Sequence, residues 1–374
     1  MTHGIYVHVP WCRVHCPYCA FDVRIARAPA WKDWLGGVLR DHAAFADAVE
    51  GPAETVYLGG GTPSLVPIDV LEALLAALPR APGAELTLEV DPGTLDADGL
   101  LARLALGIDR LSVGVQSFHP AHARRLGRGH GPRHARALLA EVVDLPLRSW
   151  SLDLMFALPG QTLAELDADI DELLDWAPPH VSLYGLTYEP GTPFDRLRQR
   201  GRLVEAAPEL WRAMYDRIVD RLQAGGWERY EVSNFARPGH RSRHNEATWR
   251  GRHYLGCGPG AHGYLPPGPR APWGRRTINA TGVEPWLHQP GPEVEVLDAR
   301  TAALDLLLST LRHTDGVPLA ELARLGLSLS ERALTPLIEG RLITLSPTDV
   351  RLTPQGFAVA DGITAALADG LEPG

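Results

Sequence analysis

From Gly4 to about Leu186 the chain alternates short apolar or β-branched runs with amphipathic stretches of helical period, the pattern of consecutive βα units and a parallel sheet. The predicted strands are Ile5–Val9, Thr55–Leu58, Leu86–Val90, Arg110–Val115, Ser151–Leu154 and Val181–Leu186. Between them Val70, Leu71, Leu74, Leu75 and Leu78 fall on one helical face, as do Leu166, Ile170, Leu173 and Leu174. Thr162-Leu163-Ala164-Glu165 has the form of a capping box, which fixes where the second of these helices starts.

After Leu186 the alternation weakens. Residues 189–204 read as a loop opened by Glu189-Pro190-Gly191-Thr192-Pro193, followed by a helix with Trp211, Met214, Tyr215, Ile218 and Leu222 on one side. A strand is expected within 230–239, leading into His240–Trp249, and the stretches 266–272 and 285–292 read as exposed, proline-rich connections. Beyond them come a helix carrying Leu304, Leu307, Leu308 and Leu311, shorter helices at Leu319–Leu325 and Ser330–Ile338, strands at Leu342–Leu345 and Val350–Leu352, and a last helix near Pro354. Helices followed by a β-ribbon predict a small winged-helix-like domain. Ser330–Glu339 holds one basic residue, so a lid or docking element is expected there and not a DNA reader.

Length and charge narrow the class. A chain of 374 residues exceeds what one core usually supports, so one large domain and a smaller one are expected, and a formal net charge of −9 argues against a broad nucleic-acid or anionic-membrane surface. No apolar run approaches the ~20 residues of a spanning helix, and the first residues lack a basic, then apolar, leader pattern. The expected setting is cytoplasmic, with reduced thiols.

The chemistry sits at the strand ends. Cys12-Arg13-Val14-His15-Cys16-Pro17-Tyr18-Cys19 follows the first strand, Gly59-Gly60-Gly61-Thr62-Pro63 the second, Glu89 closes the third, Gln116 follows the fourth and Asp153 lies in the fifth. In a parallel sheet these ends gather on one edge, where ligands bind. Three thiols at CxxxCxxC spacing suit an iron–sulfur cubane with one iron left open, or a zinc with His8, His15 or Cys257 as fourth ligand; a disulfide framework fits a chain this long poorly. Singly, the glycines read as a turn and the carboxylates as caps or solvated groups. Together with the thiols they describe a site for a charged nucleoside-like ligand. Gly258, Gly260 and Gly263 spell GxGxxG, but Pro266, Pro267, Pro269 and Pro272 stand where its helix should open, and Cys257 among them reads as a buried thiol.

Five segments carry a family resemblance: Tyr6-Val-His-Val-Pro-Trp-Cys12-x3-Cys16-Pro-Tyr-Cys19, Gly59-Gly-Gly-Thr-Pro-Ser64, Ser112-Val-Gly-Val-Gln-Ser-Phe118, Asp153-Leu-Met-Phe-Ala-Leu-Pro-Gly-Gln-Thr162 and Ser182-Leu-Tyr-Gly-Leu-Thr187. They closely resemble the radical S-adenosylmethionine family of anaerobic coproporphyrinogen dehydrogenases and haem chaperones, from about Gly4 to the C-terminus. The resemblance implies an α/β fold, a partial (β/α)6 TIM-like barrel over 1–235, a family-specific loop region over 236–297 and the winged-helix-like domain over 298–374. It implies a [4Fe–4S] cluster on Cys12, Cys16 and Cys19. It places S-adenosylmethionine contacts on Tyr6, Tyr18, Gly60, Gly61, Thr62, Glu89, Gln116, Arg128 and Asp153, with Thr187 and His262 where relatives hold a second such molecule.

Two features separate the branches. The dehydrogenases have a long extension ahead of the cluster loop and an extra cysteine just after it; here Ala20-Phe21 follow Cys19. The haem chaperones resemble this chain in their short N-terminus, in Tyr230-Glu-Val-Ser-Asn-Phe-Ala-Arg237 and in an HNxxYW motif. Here that motif reads His244-Asn245-Glu246-Ala247-Thr248-Trp249, with threonine for the tyrosine. His244 is thereby a candidate haem ligand, against the plainer reading of a loop-capping histidine. Phe156-Ala157 stand where the family usually shows tyrosine and glycine, and Ala20 where the chaperones carry aspartate. The implied function is a haem chaperone holding haem, cluster and S-adenosylmethionine, with haem donor and acceptor proteins and an electron donor as partners, as monomer or homodimer. The alternatives are a radical enzyme acting on a porphyrinogen, a radical methyltransferase, or a zinc-stabilised scaffold.

Overall fold

The computed structural model describes residues 3–374. All six expected strands are present: β1 (Gly4–Val9), β2 (Ala53–Gly60), β3 (Arg80–Val90), β4 (Arg110–Gln116), β5 (Ser149–Phe156) and β6 (His180–Gly185). They pair in parallel in chain order. Helices cross between them, including Trp31–Phe45, Ile68–Ala77, Ala97–Ala105 and Leu163–Trp176. The capping box forms: Thr162 N–H donates to Glu165 Oε2 at 2.8 Å, and Glu165 N–H donates to Thr162 Oγ1 at 3.2 Å.

The strands alternate more sharply than runs of apolar residues suggest. Val56 and Leu58, Leu86 and Leu88, Leu111 and Val113, Leu152 and Leu154 are buried in the main core. On the opposite face Tyr57 bonds to Glu89, Ser112 to Asp153 and His180 to Ser151 across strands, and Ser151 to Asp153 along β5. Because side chains of a strand point to alternate faces, the sheet is apolar towards its helices and polar towards the barrel interior.

The later chain extends this sheet at both edges. Glu228–Arg229 (β7) and Asn234–Ala236 (β8) add antiparallel beyond β6. Tyr254–Cys257 (β9) pairs in parallel with the free side of β1, placing Cys257 opposite Val7. His262–Leu265 (β10), Arg275–Ile278 (β11) and Glu293–Val296 (β12) continue outwards as an antiparallel ribbon. The resulting order is 12-11-10-9-1-2-3-4-5-6-8-7. Residues 236–297, expected as a loop region, thus carry four strands of the main sheet. Two further expectations are corrected. Residues 189–204 contain the helix Pro193–Gln199, started by Thr192, whose hydroxyl accepts from Asp195 N–H at 3.2 Å. The stretch around Pro285 contains the helix Val283–His288, whose Trp286 is fully buried and donates from its indole N–H to Asp41 at 2.8 Å.

The C-terminal domain has the expected order: helices Ala299–Thr310, Leu319–Arg324 and Glu331–Glu339, then the ribbon Ile343–Leu345 with Asp349–Leu352, joined by Val317–Pro318. Arg250 ties it to the helix Arg243–Trp249 through Asp315 at 2.7 Å, and Thr314 N–H donates to the Tyr230 carbonyl at 3.0 Å. Among the described residues no helix is long and apolar enough to cross a membrane.

Candidate functional site

The carboxyl ends of β1 to β6 surround a cavity of 520 Å³. Into it the structure brings Cys12, Cys16, Cys19, Tyr18, Gly60, Gly61, Thr62, Glu89, Gln116, Arg128, Asp153 and Thr187. The cysteine loop lies over the tip of β2. Gly61 N–H donates to the Val9 carbonyl at 2.7 Å, and a Cβ on Gly61 would fall 2.8 Å from that oxygen and 3.0 Å from Cys12 Sγ. Gly60 has φ +108°, a conformation open to glycine, and its missing Cβ leaves room for the His8 ring.

The thiols are free and half-buried. Burial pushes Cys12 up to about 11, with the Thr62 hydroxyl working against it, and raises Cys16 and Cys19, partly offset for Cys16 by the Arg128 guanidinium. A cation centre among them is what would turn them into thiolates. Of the proposed fourth zinc ligands, His15 lines the same cavity, its Nε2 3.3 Å from the Cys19 carbonyl, while His8 and Cys257 are placed elsewhere. His8 Nε2 lies 2.8 Å from the Asp22 carbonyl and its Nδ1 3.1 Å from the Tyr6 hydroxyl, while Cys257 is fully buried in β9. Three free thiols facing an open cavity, with no fourth cysteine beside them among the described residues, suit a cubane that keeps one iron open.

Opposite the thiols stand two carboxylates of different character. Glu89 accepts from the Tyr57 hydroxyl at 2.9 Å and from Gly60 N–H at 3.1 Å, and burial pushes it up to about 7 against those two donors. Asp153 accepts from Ser112 at 2.7 Å and Ser151 at 2.6 Å; burial raises it too. Gln116 closes β4 with φ +69°, just past a register shift between Gly114 and Gln116, so a non-glycine residue is held left-handed at the ligand edge. Arg128 spans the mouth: Nη2 donates to Asp91 Oδ2 at 2.5 Å and to the Gly114 carbonyl at 3.0 Å, and Nη1 reaches the Tyr18 hydroxyl at 3.4 Å.

Three assigned residues lie outside this cavity. Tyr6 and His262 line a neighbouring one of 550 Å³, separated from the first by the segment Ala20–Val23; the Tyr6 ring stacks on Tyr57 behind Glu89. His244 lies in neither. Its Nδ1 is 2.9 Å from Thr55 Oγ1, its ring stacks on Tyr57 at 5.1 Å and its N–H donates to Glu85 at 3.1 Å. It is 7% exposed, and burial pulls it down to about 4. This placement meets the hydrogen-bonding reading at Nδ1, and the Thr55 contact leaves Nε2 as the nitrogen through which a haem ligand would act. The residues that sequence reasoning missed are Tyr57 and Asp91, which hold Glu89 and Arg128. Asp91 had a readable signal, an acidic residue followed by Pro92-Gly93 at a strand tip; Tyr57 had none, sitting mid-strand.

Residues 6–173 match the Radical SAM superfamily and residues 297–359 the HemN C-terminal domain. The chain is 38% identical over 339 residues to the heme chaperone HemW of Synechocystis sp., covering 86% of this chain and 81% of that protein. It is 39% identical over 268 residues to the heme chaperone HemW of Escherichia coli, covering 70% and 69%. For the Bacillus subtilis heme chaperone HemW the figures are 30% over 378 residues, 97% and 98%. The structure of Escherichia coli coproporphyrinogen III oxidase (HemN), a radical SAM enzyme, matches with a TM-score of 0.82 over 98% of this chain and 90% of that one; at 18% identity this shows a common fold. The chain belongs to the haem chaperone family within the radical SAM superfamily.

Proposed function

We propose that this protein binds haem and hands it to an acceptor protein, and that it does so carrying a [4Fe–4S] cluster on Cys12, Cys16 and Cys19 with S-adenosylmethionine beside it. The observation that carries this reading is the near-full-length identity to heme chaperones, together with the cavity in which the three thiols face Glu89, Gln116, Arg128 and Asp153. When bound, the cluster supplies one-electron chemistry and an open iron for the amino and carboxylate groups of the cofactor. The chain's own groups do the holding. Ionised Glu89 would accept from ribose hydroxyls, the Arg128 guanidinium would supply positive charge to a carboxylate, and the backbone of Gly60 and Gly61 would approach without side-chain hindrance.

The partly exposed thiols suit a reducing compartment, the cytoplasm. An electron donor to the cluster and a haem source are the further partners this reading requires. The test is haem titration of anaerobically reconstituted protein beside a 5′-deoxyadenosine assay with coproporphyrinogen. Uptake of about one haem per chain without porphyrinogen-dependent 5′-deoxyadenosine is expected; the opposite pair of results means a dehydrogenase.

A further inference from the structure

Outside both cavities, the segment leaving β4 meets the start of the helix Leu163–Trp176. Pro120 opens the short helix Pro120–Arg125, which sets His119 at its cap and His122 one turn on. Across from them the capping box at Thr162 fixes Glu165 in the first turn of its helix. One turn further, Asp169 accepts from Ser117 Oγ and Phe118 N–H, both at 2.8 Å, and pins the two segments together. The result is a convergence of His119, His122 and Glu165 with their ligand atoms all within 4.8 Å of one another. His122 Nε2 lies 3.4 Å from Glu165 Oε2, and His119 Nε2 lies 3.8 Å from Oε1.

An ordinary ion pair would explain the carboxylate but not the imidazoles. His122 is 4% exposed, yet its Nδ1 has no partner and its Nε2 meets only Glu165 Oε2, at a long 3.4 Å; the buried Nδ1 of His119 also lacks a partner. An unpaired buried polar atom is costly, and such atoms are rare enough to require an explanation. Glu165 Oε2 is held by the Thr162 N–H at 2.8 Å and hydroxyl at 3.0 Å, an arrangement that orients the carboxylate and leaves Oε1 for another partner.

We propose that His119, His122 and Glu165 form a binding site for a divalent transition-metal ion of the zinc type, with the fourth position open to solvent. Two imidazoles and one carboxylate are a zinc donor set, and bonds of about 2.0–2.2 Å require shifts of roughly 1 Å or less from the present spacing. The ion clamps the segment leading from Gln116 towards Arg128 onto the helix Leu163–Trp176.

The test uses the full chain with its iron–sulfur cluster loaded, so that Cys12, Cys16 and Cys19 are occupied, in equilibrium dialysis against zinc with metal analysis and thermal melts. About one zinc per chain is expected, with a rise in Tm on zinc addition. His119→Gln, at a partly exposed position, and His122→Gln should each lower the zinc affinity at least tenfold while iron and sulfide content stay at the wild-type level. Equal zinc binding by wild type and His119→Gln, or no zinc bound by the wild type, overturns the proposal.

Discussion

Gly61 and Cys12 are packed so closely that no side chain fits between them: a Cβ on Gly61 would sit 3.0 Å from Cys12 Sγ, 2.8 Å from the Val9 carbonyl oxygen and 2.9 Å from that of Trp11. Two of these three neighbours are backbone, so the collision cannot be relieved by a rotamer change. Gly61→Ala must therefore lift the cysteine loop off the tip of β2. The expected cost is about 1–3 kcal/mol, the range for overpacking a tight site. Iron and acid-labile sulfide per chain should fall to less than half the wild-type value after reconstitution, with a lower Tm. Full cluster content in Gly61→Ala would show that the loop is not held by this contact.

Glu89 gives the cavity a pH dependence whose sign differs for stability and for binding. Its folded pKa of about 7 exceeds the ordinary value of 4.5 because of burial, so the folded state retains a proton that the unfolded state has lost. Stability therefore declines as pH rises from 4.5 to 7 and levels off above it. On the proposed role of Glu89 as acceptor for the ribose hydroxyls, the ionised form is the binding form, so S-adenosylmethionine affinity should be roughly tenfold weaker at pH 6 than at pH 8. Calorimetric titration across that range checks this. In Glu89→Gln both the affinity slope and the stability slope should flatten; an unchanged affinity slope places the titrating group elsewhere.

Arg128 serves two clients at once. It pairs with Asp91 at 2.5 Å and is the charge that works against burial at the Cys16 thiol. Arg128→Ala should push Cys16 higher and move the pH midpoint of cluster loading upwards, while leaving Asp91 unpaired. Arg128→Lys should restore the loading profile but not cofactor affinity, which falls roughly tenfold because an ammonium lacks the planar fork. Reconstitution yield against pH, beside cofactor titration, separates the two effects. An identical loading profile in Arg128→Ala would remove the electrostatic role.

His244 is expected to act on stability. Burial holds its folded pKa near 4, below the ordinary 6.5, so the unfolded chain takes up a proton that the folded chain refuses. Stability is then lost as pH falls from 6.5 towards 4, by up to about 3 kcal/mol. In His244→Phe that acid limb should shrink. Haem uptake at the wild-type stoichiometry would leave this residue the stability role alone, and loss of haem at unchanged Tm would assign it the ligand role.

The parts of the fold visible in the sequence are those set by local pattern. Strand tips carrying Cys12, Gly60, Glu89, Gln116 and Asp153 could be read because short runs bounded by turns mark strands, and parallel strands present their ends together. Tyr254–Cys257 was not legible as a seventh parallel strand, since four residues interrupted by Gly256 acquire their meaning only by pairing with Gly4–Val7, far away in the chain. The helix Pro193–Gln199 had its signal in Thr192-Pro193 and Asp195, a cap with proline at the first position, masked by the turn residues before it. Trp286 was hidden by its prolines: its burial depends on Asp41, which also accepts from Asn279 at 2.9 Å and from Gly258 N–H at 3.0 Å. The motif around His244 was conspicuous in sequence, but its helix lies between the barrel floor at Glu85 and the C-terminal domain at Asp315, a tertiary position that no local pattern encodes.

The central claim is that haem is held and passed on by a chain that also carries an open cubane. Its most direct test mixes cluster-loaded, haem-saturated protein, without free haem, with an apo-haemoprotein under anaerobic conditions and follows the Soret band of the acceptor. Transfer of about one haem per chain, lost when the protein is omitted, is the expected result. A cluster-loaded protein that takes up no haem, yet forms methionine and 5′-deoxyadenosine in step with coproporphyrinogen consumption, would contradict the account.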